Sequence, residues 1–198
     1  MPKSPSVQFL CIALCLACLT ACRHEQTPKP RGYYRIDFPA KAYRQLNAQL
    51  PYDFLIPVYA VVTPDLLNPD QKEWITLEIP RNHAQIHISY KKVENNLSQL
   101  IEESRSLVYK HEQKASSIDE QLFIHSSRRM YGMLYTLKGN AASPMQFYLT
   151  DSVSHFIRAA LYIKEIPNYD SLRPVIKFLS EDVIRMMEST EWKDHYGR

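Results

Sequence analysis

The sequence predicts an α+β fold, an antiparallel sheet with helices packed on its faces. Three observations carry that reading. Short segments rich in aromatic and β-branched residues recur with polar turns between them, as in Met130–Leu137, Met145–Thr150 and His155–Ile163. Two longer stretches, after Asn96 and after Asp170, instead place apolar residues at helical spacing. The order is therefore strands, helix, strands, helix. Gly 4 and Tyr 13 also suit a sheet-rich globular body rather than a disordered chain.

The stretch Lys138–Lys164 organises the rest. Met145–Thr150 and His155–Ile163 read as two strands joined by the short polar connection Asp151-Ser152-Val153-Ser154. The second strand is apolar on both sides, with Ile157, Leu161 and Ile163 on one face and Phe156 and Tyr162 on the other. Such a strand belongs in the middle of a sheet, covered above and below.

Upstream, Gly32–Pro39 reads as a strand, with Tyr34, Ile36 and Phe38 on one face. Tyr52–Ile56 and Val58–Thr63 are extended and broken by Pro57, which suits an edge or a bulge. Trp74–Ile79 and Ala84–Tyr90 follow, with Pro80–His83 as the turn between them. Asn96 is placed to cap a helix whose stripe is Leu97, Leu100, Ile101, Leu107, Val108 and His111. Glu102 and Glu103 near its start and Lys110 and Lys114 near its end agree with the helix dipole. Gln121–His125 and Met130–Leu137 are a further strand pair. The last helix starts near Asp170 or Ser171, tolerates Pro174 in its first turn, and buries Leu172, Val175, Ile176, Leu179, Val183 and Met186.

Residues 1–21 are expected to lie outside the fold. Lys3 supplies a positive start, and Phe9–Leu19 is an unbroken apolar run of signal-peptide length, too short to span a bilayer. It ends in Leu19-Thr20-Ala21-Cys22, which resembles the lipobox of bacterial lipoproteins. That resemblance implies cleavage before Cys22 and acylation of its thiol and new amino group. Several acyl chains make a stable membrane anchor, where one would hold only marginally. Cys11, Cys15, Cys18 and Cys22 sit at helical spacing and imitate a metal cluster, but the first three leave with the signal peptide. Residues 22–31 form a short, proline-stiffened tether, and 32–198 a single α+β domain. Arg23, rather than an aspartate, follows Cys22 and favours an outer-membrane, periplasm-facing position; the inner membrane is the alternative.

Lys+Arg 24 against Asp+Glu 21 is nearly balanced, which does not point to nucleic acid. Asp151, Ser152 and His155 supply the residue types of a catalytic triad, yet all lie around one turn, whereas triads converge from separate segments. No Gly-x-Ser-x-Gly elbow is present either. Their expected role is hydrogen bonding to their own turn. His83 and His87 are four apart, but along a strand that is about 13 Å, too far to share a metal ion. No catalytic residue, metal or cofactor is expected.

Arg158 stands apart. An arginine in a strand apolar on both faces needs a partner, and Asp151, Asp182 and Glu181 are the carboxylates expected to supply one. With it, Asn140, Ser143, Gln146, Asp151 and His155 make a polar set in an apolar stretch, and Arg31, Gly32 and Tyr33 a second strip near the tether. These are the candidate partner- or ligand-binding residues. The loop Gly139–Pro144 is built of small residues that let another backbone approach.

Lys29-Pro-Arg-Gly-Tyr-Tyr-Arg-Ile-Asp, then Leu107-Val-Tyr-Lys-His, Gly139-Asn-Ala-Ala-Ser-Pro, Thr150-Asp-Ser and His155-Phe-Ile-Arg158 resemble, in order, the gliding motility lipoproteins of the GldD family. The likeness runs from Lys29 to Lys193. It departs at Ala159, where the family pattern has glycine, and at Val153, where it has threonine. The resemblance implies an envelope lipoprotein of Bacteroidetes that serves gliding and type IX secretion, with no known catalytic activity. The order of strands and helices also resembles the Mog1/PsbP-like α/β/α sandwich. Two functions follow. The first is a non-enzymatic subunit or assembly factor of the gliding and secretion machinery, with the membrane and other envelope proteins as partners. The second is a small-ligand or glycan-binding periplasmic lipoprotein. A concave pocket near Arg158 favours the second, a flat apolar patch the first.

Overall fold

A computed structural model describes residues 36–193. The predicted signal peptide, Cys22, the predicted tether and Arg31, Gly32 and Tyr33 lie outside the described residues. The elements are β1 (Tyr43–Gln45), β2 (Tyr52–Asp53), β3 (Leu55–Pro57), β4 (Val61–Pro64), β5 (Ile75–Ile79), β6 (Ala84–Lys92), α1 (Leu97–Tyr109), β7 (Ala115–His125), β8 (Met130–Gly139), β9 (Met145–Thr150), β10 (His155–Ile163), α2 (Tyr169–Ser189) and β11 (Glu191–Trp192).

Seven strands form one antiparallel sheet in the order β4-β5-β6-β10-β9-β8-β7, so β10 is its middle strand as expected. Arg158 lies opposite Ser89 on one side and Tyr148 on the other. Strand alternation sorts the side chains. Ile86, Ile88, Phe147, Leu149, Ile157, Ala159 and Leu161 pack with Val175, Leu179, Val183 and Met186 of α2. Tyr135, Leu137, Tyr148 and Phe156 face the other way and pack with Leu100 and Val108 of α1. One helix on each face gives the three-layer α/β/α arrangement.

The two faces are covered unequally. Seven strands about 4.8 Å apart span roughly 29 Å, while a helix with its side chains is about 10 Å wide. On the α2 face the shortfall is filled by Leu46, Leu50, Tyr52, Phe54, Ile56 and Ala60 from the segment that holds β1, β2 and β3. On the other face α1 sits over β8, β9 and the start of β10, and leaves β5 and β6 less covered.

The predicted strand Gly32–Pro39 is not seen over its described part, since residues 36–40 carry no ladder. Phe38 is held by its ring, stacked on Phe178 of α2 at 4.4 Å, and the neighbouring edge of β3 is taken by β1. The extended stretch around Pro57 divides among three partners: β2 pairs with β11, β3 with β1 and β4 with β5.

Asp182 of α2 is fully buried and ties this segment down. Lys41 Nζ donates to its Oδ1 at 2.7 Å, the Tyr43 hydroxyl to Oδ1 at 3.0 Å, and the Tyr59 hydroxyl to Oδ2 at 2.5 Å. Lys41 also donates to the Phe178 carbonyl at 2.6 Å and lies over its ring. Burial, with the hydrogen bond to Asp182 next, pushes Tyr43 up to about 12 and Tyr59 higher still.

Candidate functional site

The uncovered half-face is polar by sequence. Strand β6 alternates Ala84, Ile86, Ile88 and Tyr90 toward α2 with Gln85, His87, Ser89 and Lys91 toward α1. With Arg158 and Tyr162 of β10, these residues floor a cleft of about 440 Å³. Its walls are Leu100, Ser104 and Leu107 of α1 and Asp65, Leu67, Asn68 and Trp74 from the loop between β4 and β5. The Trp74 indole is fixed by donating to the Tyr90 carbonyl at 2.8 Å.

Most polar groups here already have partners. His87 Nδ1 lies 3.0 Å from the Thr76 hydroxyl and Nε2 2.7 Å from the Gln85 amide nitrogen. Because that nitrogen can only donate, Nε2 accepts and Nδ1 carries the proton toward Thr76. Burial lowers the His87 pKa, consistent with a neutral ring. Lys91 is paired with Glu103 at 2.8 Å, and Asp65 accepts from the backbone nitrogens of Leu67 and Asn68.

Arg158 is the exception. Its guanidinium donates to the Gln146 amide oxygen and bonds the Tyr162 hydroxyl, both neutral. Its Nε and the Gln146 amide nitrogen are buried without a partner. Burial presses the group below the usual arginine range, and the Tyr162 hydrogen bond opposes that. An arginine starts so high that it stays charged.

The expected carboxylate partners are not there, for a reason of geometry. Asp182 lies on the far side of the sheet with Lys41. Asp151 is spent on its own turn: Oδ1 accepts from the backbone nitrogens of Val153, Ser154 and His155 at 3.0, 2.8 and 2.8 Å. Burial works against the Asp151 charge, but those three N–H groups together hold its carboxyl below the usual range. Ser152 sits in the left-handed region at φ 68, where the tight turn puts it.

Of the sequence-predicted residues, the structure brings together Gln146 and Arg158. His155 stacks on Trp192 at 5.2 Å, with Nδ1 2.9 Å from the Tyr90 hydroxyl. Asn140 Oδ1 accepts from the Tyr169 nitrogen and seats the start of α2, while Ser143 is buried. The backbone that approaches Gly139 is that of β7: a side chain there would meet the Ser116 nitrogen at 2.6 Å, beside the bulge at Ala115/Ser117. His87, Gln85, Ser89 and Tyr162 lie outside the sequence-predicted set, although the period-two alternation of β6 carries a signal for the first three.

The sequence pattern described as gliding motility lipoprotein GldD matches residues 23–192. The chain belongs to that family. GldD family membership associates it with gliding motility and with a membrane-anchored place in the envelope. No curated protein matches it. Among solved structures, that of cyanobacterial PsbP (CyanoP) from Synechocystis sp. PCC 6803 is similar, at 10% identity and a TM-score of 0.47 over 81% of this chain and 98% of that one.

Proposed function

We propose that this chain is a non-enzymatic subunit or assembly factor of the gliding and type IX secretion machinery, anchored in the envelope by an acylated Cys22. Residues 22–31 are its tether and 32–198 its working domain, with other envelope proteins as partners. The observation that carries this reading is the family match, which begins at Arg23, directly after Cys22, and runs through the folded body. The outer membrane, periplasmic side, is the proposed location. Cys22→Ala should abolish acylation and leave the protein unprocessed or released from membranes, with loss of secretion. Acylated protein recovered in the membrane fraction of that mutant would overturn the anchor. A crosslinking pull-down from native envelope that recovers no secretion component would overturn the machinery role.

A second reading is favoured by one observation, the cleft beside Arg158. It is concave, walled by apolar side chains and within the size range of small-ligand sites, roughly 300–1,000 Å³. The domain then binds a small ligand there as part of its work.

A further inference from the structure

We propose that this cleft takes a small carboxylic acid with an apolar body, its carboxylate set on the guanidinium of Arg158. The proposal rests on reading the cleft as a binding site and adds the chemistry of what fills it.

Charge accounting points to an anion. Lys91 has Glu103, and Asp65 has the backbone of its own loop. Arg158 has the Gln146 amide oxygen and the Tyr162 hydroxyl, and among the described residues no carboxylate pairs with it. A guanidinium carries five N–H donors in a planar fork that matches a carboxylate, and two neutral acceptors leave part of that fork unused. The strand would bury a neutral side chain at lower cost, as it does with Ala160 two residues on.

The walls describe the rest of the ligand. Trp74, Leu100, Leu107 and Phe156 offer apolar surface within reach of the same floor. His87 has both ring nitrogens engaged, so among the described residues the floor holds one cationic function without a carboxylate. One positive charge suits a monoanion. A phosphate monoester brings nearly two negative charges at neutral pH, and Asp65 and Glu103 on the cleft wall would oppose the second.

Trp74 reports on the site directly. The chain has Trp 2, and Trp192→Phe leaves Trp74 as the single tryptophan, excited apart from the tyrosines at the red edge of the absorption band. The test uses the full acylated chain in neutral-lipid nanodiscs, with empty nanodiscs as blank. Hexanoate, hexanamide and hexyl phosphate are titrated against Trp74 fluorescence. Hexanoate should give a saturable change, and Arg158→Gln should weaken it about tenfold or more, as loss of a charged hydrogen bond does. Hexanamide should bind more weakly and lose less than about threefold in the same variant. Ser89→Asp is the second variant. It keeps Arg158 and sets a carboxylate on the opposite residue of β6, so it should abolish hexanoate binding in a protein that still melts cooperatively. Hexanoate binding by folded Ser89→Asp at the parent affinity would overturn the proposal. Equal binding of hexanoate and hexanamide would overturn the anion while leaving the cleft a binding site, and tighter binding of hexyl phosphate would overturn the carboxylate. No response of Trp74 to any of the three would overturn the cleft as a site, and this proposal with it.

Discussion

The guanidinium of Arg158 on β10 donates to the amide oxygen of Gln146 on β9, two side chains that share the α1 face of the sheet. The contact is between a cation and a neutral group. Removing the arginine therefore frees no buried carboxylate, which is the case that costs about 3–5 kcal/mol. Arg158→Ala should instead lose about 1–2 kcal/mol by urea unfolding. Gln146→Glu places a carboxylate where the amide oxygen now stands and should raise the melting temperature; a drop would show that the charge is not wanted there.

The opposite case lies across the sheet. Asp182 is fully buried, and Lys41 is its cation. Lys41→Met strands that charge and should cost about 3 kcal/mol or more. Asp182→Leu in the same chain should return a good part of the loss, because two groups removed together leave nothing uncompensated. Additive losses in the double-mutant cycle would refute the coupling.

Alkaline pH should reach Tyr43 and Tyr59 of this cluster and two buried tyrosines outside it. Tyr43, Tyr90 and Tyr135 are each pushed up to about 12, chiefly by burial, from the ordinary tyrosine value of about 10, and Tyr59 is raised further. A raised pKa in the folded state means that the folded form holds the proton when the unfolded chain has begun to release it. These groups contribute fully below pH 10 and lose that contribution as pH climbs from 10 toward 12 and beyond. The urea midpoint should be flat with respect to these groups below pH 9 and fall above 10, and Tyr59→Phe should make the fall shallower.

Gly132 of β8 tests the sheet itself. A Cβ there would stand 2.0 Å from the Tyr148 carbonyl oxygen on β9, a backbone atom that cannot turn aside. Gly132→Ala should therefore cost about 3 kcal/mol or more, at or beyond the upper end of overpacking effects. Wild-type stability of this variant in a thermal melt would contradict the strand spacing.

The sheet was legible where the pattern was local. The hairpin from Met145 to Ile163 announces itself by composition, and the two apolar faces of β10 place it centrally. What local pattern could not supply is which helix covers which face. Asp182 and Arg158 look like partners in sequence, yet strand alternation sends Arg158 toward α1 while α2 lies on the other side. The cleft stayed hidden for a related reason. It exists because one helix is narrower than seven strands, and its floor on β6 shows only as a polar parity in Gln85, His87 and Ser89. Phe38 misled differently, since ring stacking on α2 does the work that a strand ladder would do.

The grip of Lys41 on Asp182 also decides how the domain would carry load. With the proposed anchor at Cys22, the domain would be pulled from the N-terminal side of its fold. Near that end the Asp37 carbonyl accepts from Arg81 in the turn between β5 and β6, while Phe38 and Lys41 fasten on one helix, at Phe178 and Asp182. Tension would therefore pass into α2 through two side-chain holds and into the β5–β6 turn through a third, and would not begin at an edge strand, where a ladder could be unzipped bond by bond. A tug on the proposed tether would test these holds before it tested the strand ladders.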